Sequence, residues 1–289
     1  MFPPDNYWHA RVDRLPVDPR SADWLATMRA DTTYLHPDFG PSLGAQPVPY
    51  GIAVTIVRDT ARVPVSFEYQ DESDRGRYPL DARTLIEGGP TAGGDRHAIV
   101  VDARSCTLYE TWNTRHGPDG WTAGSGARWS LRSNRLRPRG WTSADAAGLP
   151  ILPGLLRWDE VAAGRVDHAI RFTAELTRRA FIWPARHQAG STDDEAAPPM
   201  GARFRLRADF PVRAYSPNAR VVLRAMQQYG LVLADNGTSW YFQGTADERW
   251  PIELVDELKS DEDGEGEDAY RSCFRKNSFT SSGSAAQLP

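Results

Sequence analysis

Short segments in which apolar and polar residues alternate constrain this chain more than any other feature of its sequence. In VPVSFEYQ, every second residue from Val63 to Tyr69 is apolar, as one buried face of a β-strand requires. The same reasoning predicts strands in VTIVR, HAIVVDA, CTLYETW, ARWSLRSN, VDHAIRFTA, FIWPAR and ARFRLRADF. HAIVVDA and CTLYETW are separated by a short link and indicate a hairpin. GLVLADNGTSWYFQG places Asn236-Gly237, a strong hairpin signal, between two apolar runs.

Helix signals are fewer. SPNARVVLRAMQQYG has Ser216 as the N-cap, Pro217 at the first helical position and Gly230 just past the end. Shorter helices are expected around Ser21–Met28, Trp158–Ala163 and Trp250–Leu258. Many strands and few helices predict a mainly β fold, specifically a two-sheet sandwich of jelly-roll or concanavalin-like type, rather than a βαβ arrangement.

The sequence predicts one folded domain and a tail. Residues 1–259 carry the strand and helix patterns and are expected to form a single β-sandwich domain. From Ser260 the composition changes to SDEDGEGED and then to a Ser-rich end, which buries too little apolar surface to fold. Residues 260–289 are therefore predicted to be a disordered tail.

Composition excludes several classes of partner. The formal net charge is −4, whereas a nucleic-acid-binding protein is expected to carry a basic surface. No apolar run approaches the ~18 residues of a membrane span. The two cysteines lie in no metal motif, so neither a disulfide framework, a metal nor a cofactor is predicted. The start of the chain lacks a signal peptide, which leaves a cytoplasmic protein or one whose leader is absent from this sequence. The oligomeric state is not indicated.

Glu110 is the first candidate catalytic residue. In CTLYETW it shares a strand face with Leu108 and Trp112, and on a buried face desolvation would raise its pKa, as a general acid requires. The alternative is that this face is the outer one and that Glu110 only solvates it.

Asp145, in WTSADAAGLPILPG, is the second candidate. The two prolines make this loop stiff, and a rigid loop with a tryptophan and an aspartate suits a sugar subsite. Alternatively, Ser143 or Thr142 caps a short helical turn over residues 144–147 that Gly148 ends, with Asp145 favoured by the helix dipole.

The remaining candidates lie at strand ends, where functional residues often collect. Glu72 and Asp74 belong to the acidic run DESDRG, which is also interpretable as a solvated turn or a weak calcium loop. His97 and His187 are candidates to orient substrate or tune the carboxylates, and the alternative for both is a structural role. Among ten tryptophans, Trp112, Trp141 and Trp183 are predicted to stack on sugar rings.

Several segments occur together along roughly residues 2–258: GWTSADAAGLPILPGLLRWDEVAAG, HAIRFT, IWPARH, PPMGARFRLRA and YGLVLADNGTSWYFQG. As a set they resemble an uncharacterised family of bacterial, actinobacterial-type proteins. The resemblance implies a secreted, extracellular β-sandwich protein and carries no assigned catalytic residues. The acidic, Ser-rich end departs from the compact C-terminus that the family implies.

Together these features predict a carbohydrate-active protein, specifically a glycoside hydrolase-like enzyme that uses paired carboxylates on an environmental polysaccharide or oligosaccharide. Glu110 and Asp145, with Glu72 or Asp74, are the predicted acid and base or nucleophile. Two alternatives remain open. One is a lectin-like module that binds carbohydrate without chemistry, and the other is a structural or interaction protein whose tryptophans all lie in the core.

Overall fold

A computed structural model describes residues 2–43 and 48–259, together with the backbone of Phe279–Ser281. Within these residues the strands are β1 (His36–Asp38), β2 (Val54–Val57), β3 (Val63–Phe67), β4 (Arg77–Tyr78), β5 (Ala98–Asp102), β6 (Thr107–Trp112), β7 (Arg115–Gly117), β8 (Gly120–Ala123), β9 (Ser125–Ser130), β10 (Ile170–Ala174), β11 (Arg178–Phe181), β12 (Pro199–Met200), β13 (Arg203–Leu206), β14 (Leu231–Asn236), β15 (Tyr241–Gln243) and β16 (Phe279–Ser281). The α-helices are α1 (Ser21–Thr27), α2 (Trp158–Ala162), α3 (Pro217–Gln228) and α4 (Ile252–Leu258).

The strands form several sheets rather than one continuous surface. A six-stranded sheet has the order β1-β15-β10-β14-β13-β16, and a four-stranded sheet, here called the β5–β6 sheet, has the order β2-β5-β6-β9. A second four-stranded sheet has the order β4-β3-β8-β7, and β11 pairs with β12. The mainly β prediction is therefore confirmed.

The predicted jelly-roll arrangement is not confirmed, because the sheets mix parallel and antiparallel pairs. β10 runs parallel to β14, and β2 runs parallel to β5, whereas jelly rolls are antiparallel. Parallel strands need long connections and tend to be buried on both faces. All five residues of β10 are accordingly buried, which explains why alternation along VDHAIRFTA did not separate an inner from an outer face.

The two predicted hairpins have different outcomes. β5 and β6 pair antiparallel with Ile99 opposite Glu110, as expected. The strands that flank Asn236-Gly237 do not pair with each other, because β10 lies between β14 and β15 in the six-stranded sheet. The chain after Asn236 passes across the end of β10, and Gly237 lies against Thr173 of that strand. The predicted Asn-Gly hairpin is therefore wrong.

The helix predictions agree with the structure. Ser216 caps α3 through its hydroxyl oxygen, which accepts a hydrogen bond from the amide of Ala219 at 3.3 Å. Gly230 follows the helix with a φ of +75°, a conformation that glycine adopts readily. None of the helices in the described part of the chain is both long and apolar enough to cross a membrane.

Three hydrophobic clusters form the core. The largest packs α1, α3 and the six-stranded sheet around residues such as Trp24, Phe172 and Met226. A second lies on one face of the β5–β6 sheet, and a third lies between that sheet and β3, β4 and β8. Of the ten tryptophans, Trp112, Trp141, Trp158 and Trp183 are not fully buried, so aromatic rings remain available at the surface.

Most of the predicted tail lies outside the described residues. Phe279–Ser281 lies within the described residues, where it forms β16 and pairs antiparallel with residues 204–206 of β13.

Candidate functional site

Residues 141–154, here called the bridging segment, join the six-stranded sheet to the β5–β6 sheet. The amide of Ala147 donates to the carbonyl oxygen of Ala234 on β14 at 2.8 Å. The amides of Ile151 and Leu152 donate to the carboxylate of Glu110 on β6 at 2.9–3.0 Å. The segment therefore holds Asp145 between the sheets.

The bridging segment begins with a turn rather than the predicted helical turn. The hydroxyl oxygen of Ser143 accepts a hydrogen bond from the amide of Asp145, two residues on, at 2.9 Å. The amide of Gly148 donates to the carbonyl of Asp145 at 3.0 Å, and Gly148 has a φ of +67°. Residues 144–147 form no helical turn, and the Ser143 side chain supports a hydrogen-bonded turn in its place.

A cavity of about 390 Å³ opens beside this turn. Its walls come from β6, β14, the bridging segment and the loops that precede β5, follow β3 and follow β11. We call it the site cavity, and the side chains that give it chemical character are Tyr69, Glu72, Asp95, Trp112, Asp145, His187 and Asp235. Four of the predicted site residues, namely Glu72, Asp145, His187 and Trp112, are thus brought together.

Asp145 and Asp235 form a carboxyl pair at one wall of the site cavity. The Arg171 guanidinium on β10 binds Asp145 through two nitrogens, with Nη2 at 2.8 Å from Oδ1 and Nε at 3.3 Å from Oδ2. The same Nη2 lies 3.6 Å from Oδ2 of Asp235. Asp235 and Asp145 also influence each other's pKa, as neighbouring carboxyl groups do. One buried cation therefore neutralises one of two adjacent carboxyl groups.

The two carboxyl groups of the pair bind a proton with different affinities because their surroundings differ. Burial raises the pKa of Asp235 to about 7, and the adjacent Asp145 charge acts in the same direction. Burial also raises the pKa of Asp145, but the Arg171 guanidinium opposes this. The Asp145 side chain is fully buried, whereas Asp235 exposes 22% of its side chain, and Asp235 lines the cavity. Asp235 is therefore the group that holds the proton and can present it to a ligand.

Glu72 and Asp95 place two further carboxylates at the cavity. Glu72 accepts a hydrogen bond from the amide of Thr142 at 3.0 Å, and its Oε2 lies 3.7 Å from Nε2 of His187. The other ring nitrogen of His187, Nδ1, lies 2.8 Å from the carbonyl oxygen of Ala146, which fixes the ring against the bridging segment. Asp95 accepts a hydrogen bond from the indole N–H of Trp112 at 3.1 Å.

Two aromatic rings lie side by side at the cavity. Tyr69 and Trp112 have ring centroids 6.2 Å apart, and Tyr69 is exposed. Partly exposed rings of this kind offer apolar faces on which the C–H surface of a sugar or another flat ligand can stack.

Glu110 does not line the site cavity. Its carboxylate is completely buried and accepts hydrogen bonds from the two amides of the bridging segment. Burial raises the pKa of Glu110 to about 7 despite these hydrogen bonds. Of the two alternatives for its strand face, Glu110 therefore lies on a buried one, but the group fastens a loop instead of facing a ligand.

His97 is also buried, on the interior side of the bridging segment. Its Nδ1 lies 2.7 Å from the Glu87 carboxylate, and its Nε2 lies 3.2 Å from the carbonyl oxygen of Ala144. Burial by itself lowers the pKa of His97, but the Glu87 charge outweighs it and raises the pKa to about 9. His97 is thus a cation that supports the wall of the cavity from behind.

The other predicted residues do not line the site cavity. Asp74 binds the Arg137 guanidinium at 2.5 Å, and the same guanidinium lies over the ring of Trp141. Trp183 is partly exposed and packs edge-on against Tyr7. These side chains stabilise loops next to the cavity or lie at another surface.

Local sequence patterns did not identify Asp235, Asp95 and Arg171 as site residues. Asp235 follows four apolar residues at the end of a strand, and this position was the signal that could have identified it. Arg171 is flanked by apolar residues in VDHAIRFTA, but only the parallel pairing of β10 shows that both faces of this strand are buried. Among the described residues no group of three or more His, Cys, Asp or Glu side chains is arranged to hold a metal ion.

Comparisons with known proteins do not extend this description. A scan against protein-family models, a search of curated proteins and a search of solved structures each found no match. The resemblance to a bacterial family therefore stays a prediction, and the interpretation of the site depends on its geometry.

Proposed function

We propose that the site cavity hydrolyses glycosidic bonds in a polysaccharide or oligosaccharide, with Asp235 as the general acid. The observation that carries this proposal is the Asp145–Asp235 carboxyl pair at the cavity wall. Two adjacent carboxyl groups whose surroundings differ have their pKa values pushed apart, so that one of them keeps a proton for general acid work. A pKa of about 7 keeps a large fraction of Asp235 protonated at neutral pH.

In this reaction the Asp235 proton passes to the glycosidic oxygen as the bond between that oxygen and the anomeric carbon breaks. A water molecule attacks the anomeric carbon and gives up its proton to a second carboxylate. Glu72 and Asp95 also line the cavity, and neither forms an ion pair with Arg171. We assign one of them as this base. Asp145 acts as a positioning residue, because its charge keeps the proton on Asp235.

Carbohydrate is the proposed substrate because of the aromatic surface. Tyr69 and Trp112 border the same cavity as the carboxyl pair, so a sugar ring stacked on them lies within reach of the acid. Carboxylates next to aromatic rings also suit the many hydroxyl groups of a saccharide, since carboxylates accept hydrogen bonds from them. An extracellular location, implied by the resemblance, agrees with an environmental polysaccharide.

The test is a panel of polysaccharides and oligosaccharides assayed for new reducing ends. Asp235→Asn should lower the rate by about 10²- to 10⁴-fold, which is the usual contribution of a general acid. Glu110→Gln is the matched control, because Glu110 is also a buried carboxyl group with a raised pKa but lies outside the cavity. Glu110→Gln should keep the wild-type rate within a few-fold.

A full rate in Asp235→Asn would contradict the assignment of the acid. A lost rate in Glu110→Gln together with a full rate in Asp235→Asn, with both variants folded, would move the acid to Glu110.

The second candidate function is carbohydrate binding without cleavage. The exposed Tyr69 ring next to Trp112 favours it, because stacking needs no acid. Saturable binding of a glycan without release of reducing ends would support the lectin, and Trp112→Ala should then weaken that binding.

A further inference from the structure

A second cavity, of about 790 Å³, lies away from the carboxyl pair and shares no lining residue with the site cavity. Much of its wall is apolar and comes from residues such as Pro49, Leu85, Ile86 and Pro90. One charged side chain in this wall, that of Arg96, is itself buried, with 4% of the residue exposed. We call this space the Arg96 cavity.

The Arg96 guanidinium is held by backbone carbonyl groups. Nε donates to the carbonyl oxygen of Thr114 at 3.0 Å, and Nη1 donates to those of Gly89 and Ala92 at 3.1 and 2.7 Å. Nη2 makes no hydrogen bond to the residues that the structure describes. Since Arg96 lines the cavity, Nη2 is the donor through which it can reach a ligand.

No carboxylate of the described chain forms an ion pair with Arg96. The acidic residues that line the same cavity bind elsewhere: Asp81 pairs with Arg83 at 2.6 Å, and Asp247 pairs with Arg249 at 2.6 Å. Glu248 accepts hydrogen bonds from Ser42. Burial lowers the pKa of Arg96, and the nearby Arg115 charge acts in the same direction. A buried cation is normally paired, so this one has the chemistry of an anion site.

The backbone at Arg96 agrees with such a role. Its φ is +52°, in the left-handed region that non-glycine residues rarely adopt. Such conformations cost free energy and occur most often at functional sites.

Two stacked rings complete the wall. His116 is exposed and lies over Trp121 with ring centroids 4.5 Å apart and an angle of 20° between the planes. Both residues line the Arg96 cavity. Together with the apolar residues, this stack favours a ligand that has a flat apolar body in addition to its negative charge.

We propose that the Arg96 cavity binds a small organic carboxylate with a flat apolar body. The carboxylate accepts hydrogen bonds from Nη2 of Arg96, and the body lies against the His116 ring and the apolar wall. This site does not depend on the proposed hydrolase activity.

Isothermal titration calorimetry at constant ionic strength tests the proposal, with benzoate, acetate and inorganic phosphate as probes. Wild-type protein should bind benzoate saturably and more tightly than either acetate or phosphate. Arg96→Met should weaken benzoate binding by about 10- to 100-fold, because it removes a charge-assisted hydrogen bond in a buried site. Arg83→Gln is the control, since Arg83 lines the same cavity but is exposed and paired with Asp81.

His116→Ala keeps the proposal testable even if Arg96→Met does not fold, because His116 is exposed. It should weaken benzoate binding by about three-fold or more and leave acetate binding unchanged. The absence of saturable benzoate binding to the wild type would overturn the proposal. Equal affinity of the wild type and His116→Ala for benzoate would do the same, as would tighter binding of phosphate than of benzoate.

Discussion

At Asp235 the fold places a carboxyl group next to a second carboxyl group and removes most of its contact with bulk water. Both conditions raise its pKa, to about 7. Arg171 does not reverse this, because it binds Asp145 at 2.8 Å and lies farther, at 3.6 Å, from Asp235. The asymmetry of one guanidinium between two carboxyl groups therefore decides which of them keeps a proton.

This arrangement predicts how stability depends on pH. The folded state holds a proton on Asp235 between the ordinary pKa of 3.8 and about 7, whereas the unfolded state has lost it. Stability therefore falls as pH rises through this window. The free energy of unfolding of the wild type, relative to Asp235→Asn, should decrease by on the order of 3–4 kcal/mol from pH 4 to pH 7.5.

Urea denaturation of both proteins at several pH values measures this difference. Titrating groups outside the carboxyl pair are common to the two proteins, so they cancel to first order. A difference that is constant with pH would show that Asp235 has an ordinary pKa.

Glu110 shows how much of one residue's environment the sequence predicts. Its place on one strand face with Leu108 and Trp112 left open whether that face is buried or outer, and in the structure it is buried and the pKa of Glu110 is raised. Its partners, the amides of Ile151 and Leu152, lie about forty residues away along the chain, as counted on the sequence. No local sequence pattern predicts these two amides. Their hydrogen bonds are what make Glu110 a loop anchor and not an acid that faces a ligand.

Among the elements, the bridging segment matters most for the site. It has no regular secondary structure at Asp145, yet its backbone groups bind β6 and β14. Its leading turn depends on Gly148, whose φ is +67°. A Cβ atom at this position would lie 2.5 Å from the carbonyl oxygen of Trp141.

Gly148→Ala should therefore destabilise the protein by more than about 2 kcal/mol, since the left-handed conformation costs roughly 1–2 kcal/mol by itself and the backbone clash adds to it. Gly94→Ala is the matched control, because Gly94 has a φ of +77° but no atom lies within 4 Å of its added Cβ. Urea denaturation compares the two. Equal losses of stability would mean that the contact with Trp141 does not constrain the turn.

β14, the strand that carries Asp235, shows that a local turn signal does not determine which strands pair. Asn236-Gly237 is a strong hairpin signal, but β14 and β15 both pair with β10 instead of with each other. The signal marks the end of β14 correctly. It does not show that β10, from earlier in the chain, lies between β14 and β15.

For the whole molecule, Arg171 is the point at which distant parts of the chain meet. It lies on β10 and binds Asp145 of the bridging segment, and it also donates a hydrogen bond to Gln243 on β15. Gln243 in turn donates to Asp38 on β1 at 3.0 Å. A chain of polar contacts thus crosses the six-stranded sheet and ends at the site cavity.

Arg171→Leu should destabilise the folded protein by about 3–5 kcal/mol, because it leaves the buried Asp145 carboxylate without its cation. Adding Asp145→Asn should restore part of this loss, since the unpaired charge is then removed. Arg104→Leu, which breaks an exposed ion pair with Asp59, should change stability little. Thermal and urea denaturation of the single and double variants measure these effects. A double variant no more stable than Arg171→Leu would show that the buried ion pair does not account for the loss.

Sequence alone established the local structure of this protein. Alternation identified most strands, the Ser-Pro start and glycine end identified α3, and the strand-end and loop positions pointed to Glu72, Asp145, His187 and Trp112. These features depend on residues that are neighbours along the chain, so the sequence is enough to predict them.

Only the tertiary structure decided which strands pair and which acids meet. The parallel pairing of β10 and β14 brings Arg171 and Asp235 together, and the bridging segment adds Asp145 from a distant stretch. The proton on Asp235 follows from this proximity and from the loss of water around it. Both are properties of the space between elements, and the order of residues along one element does not contain them.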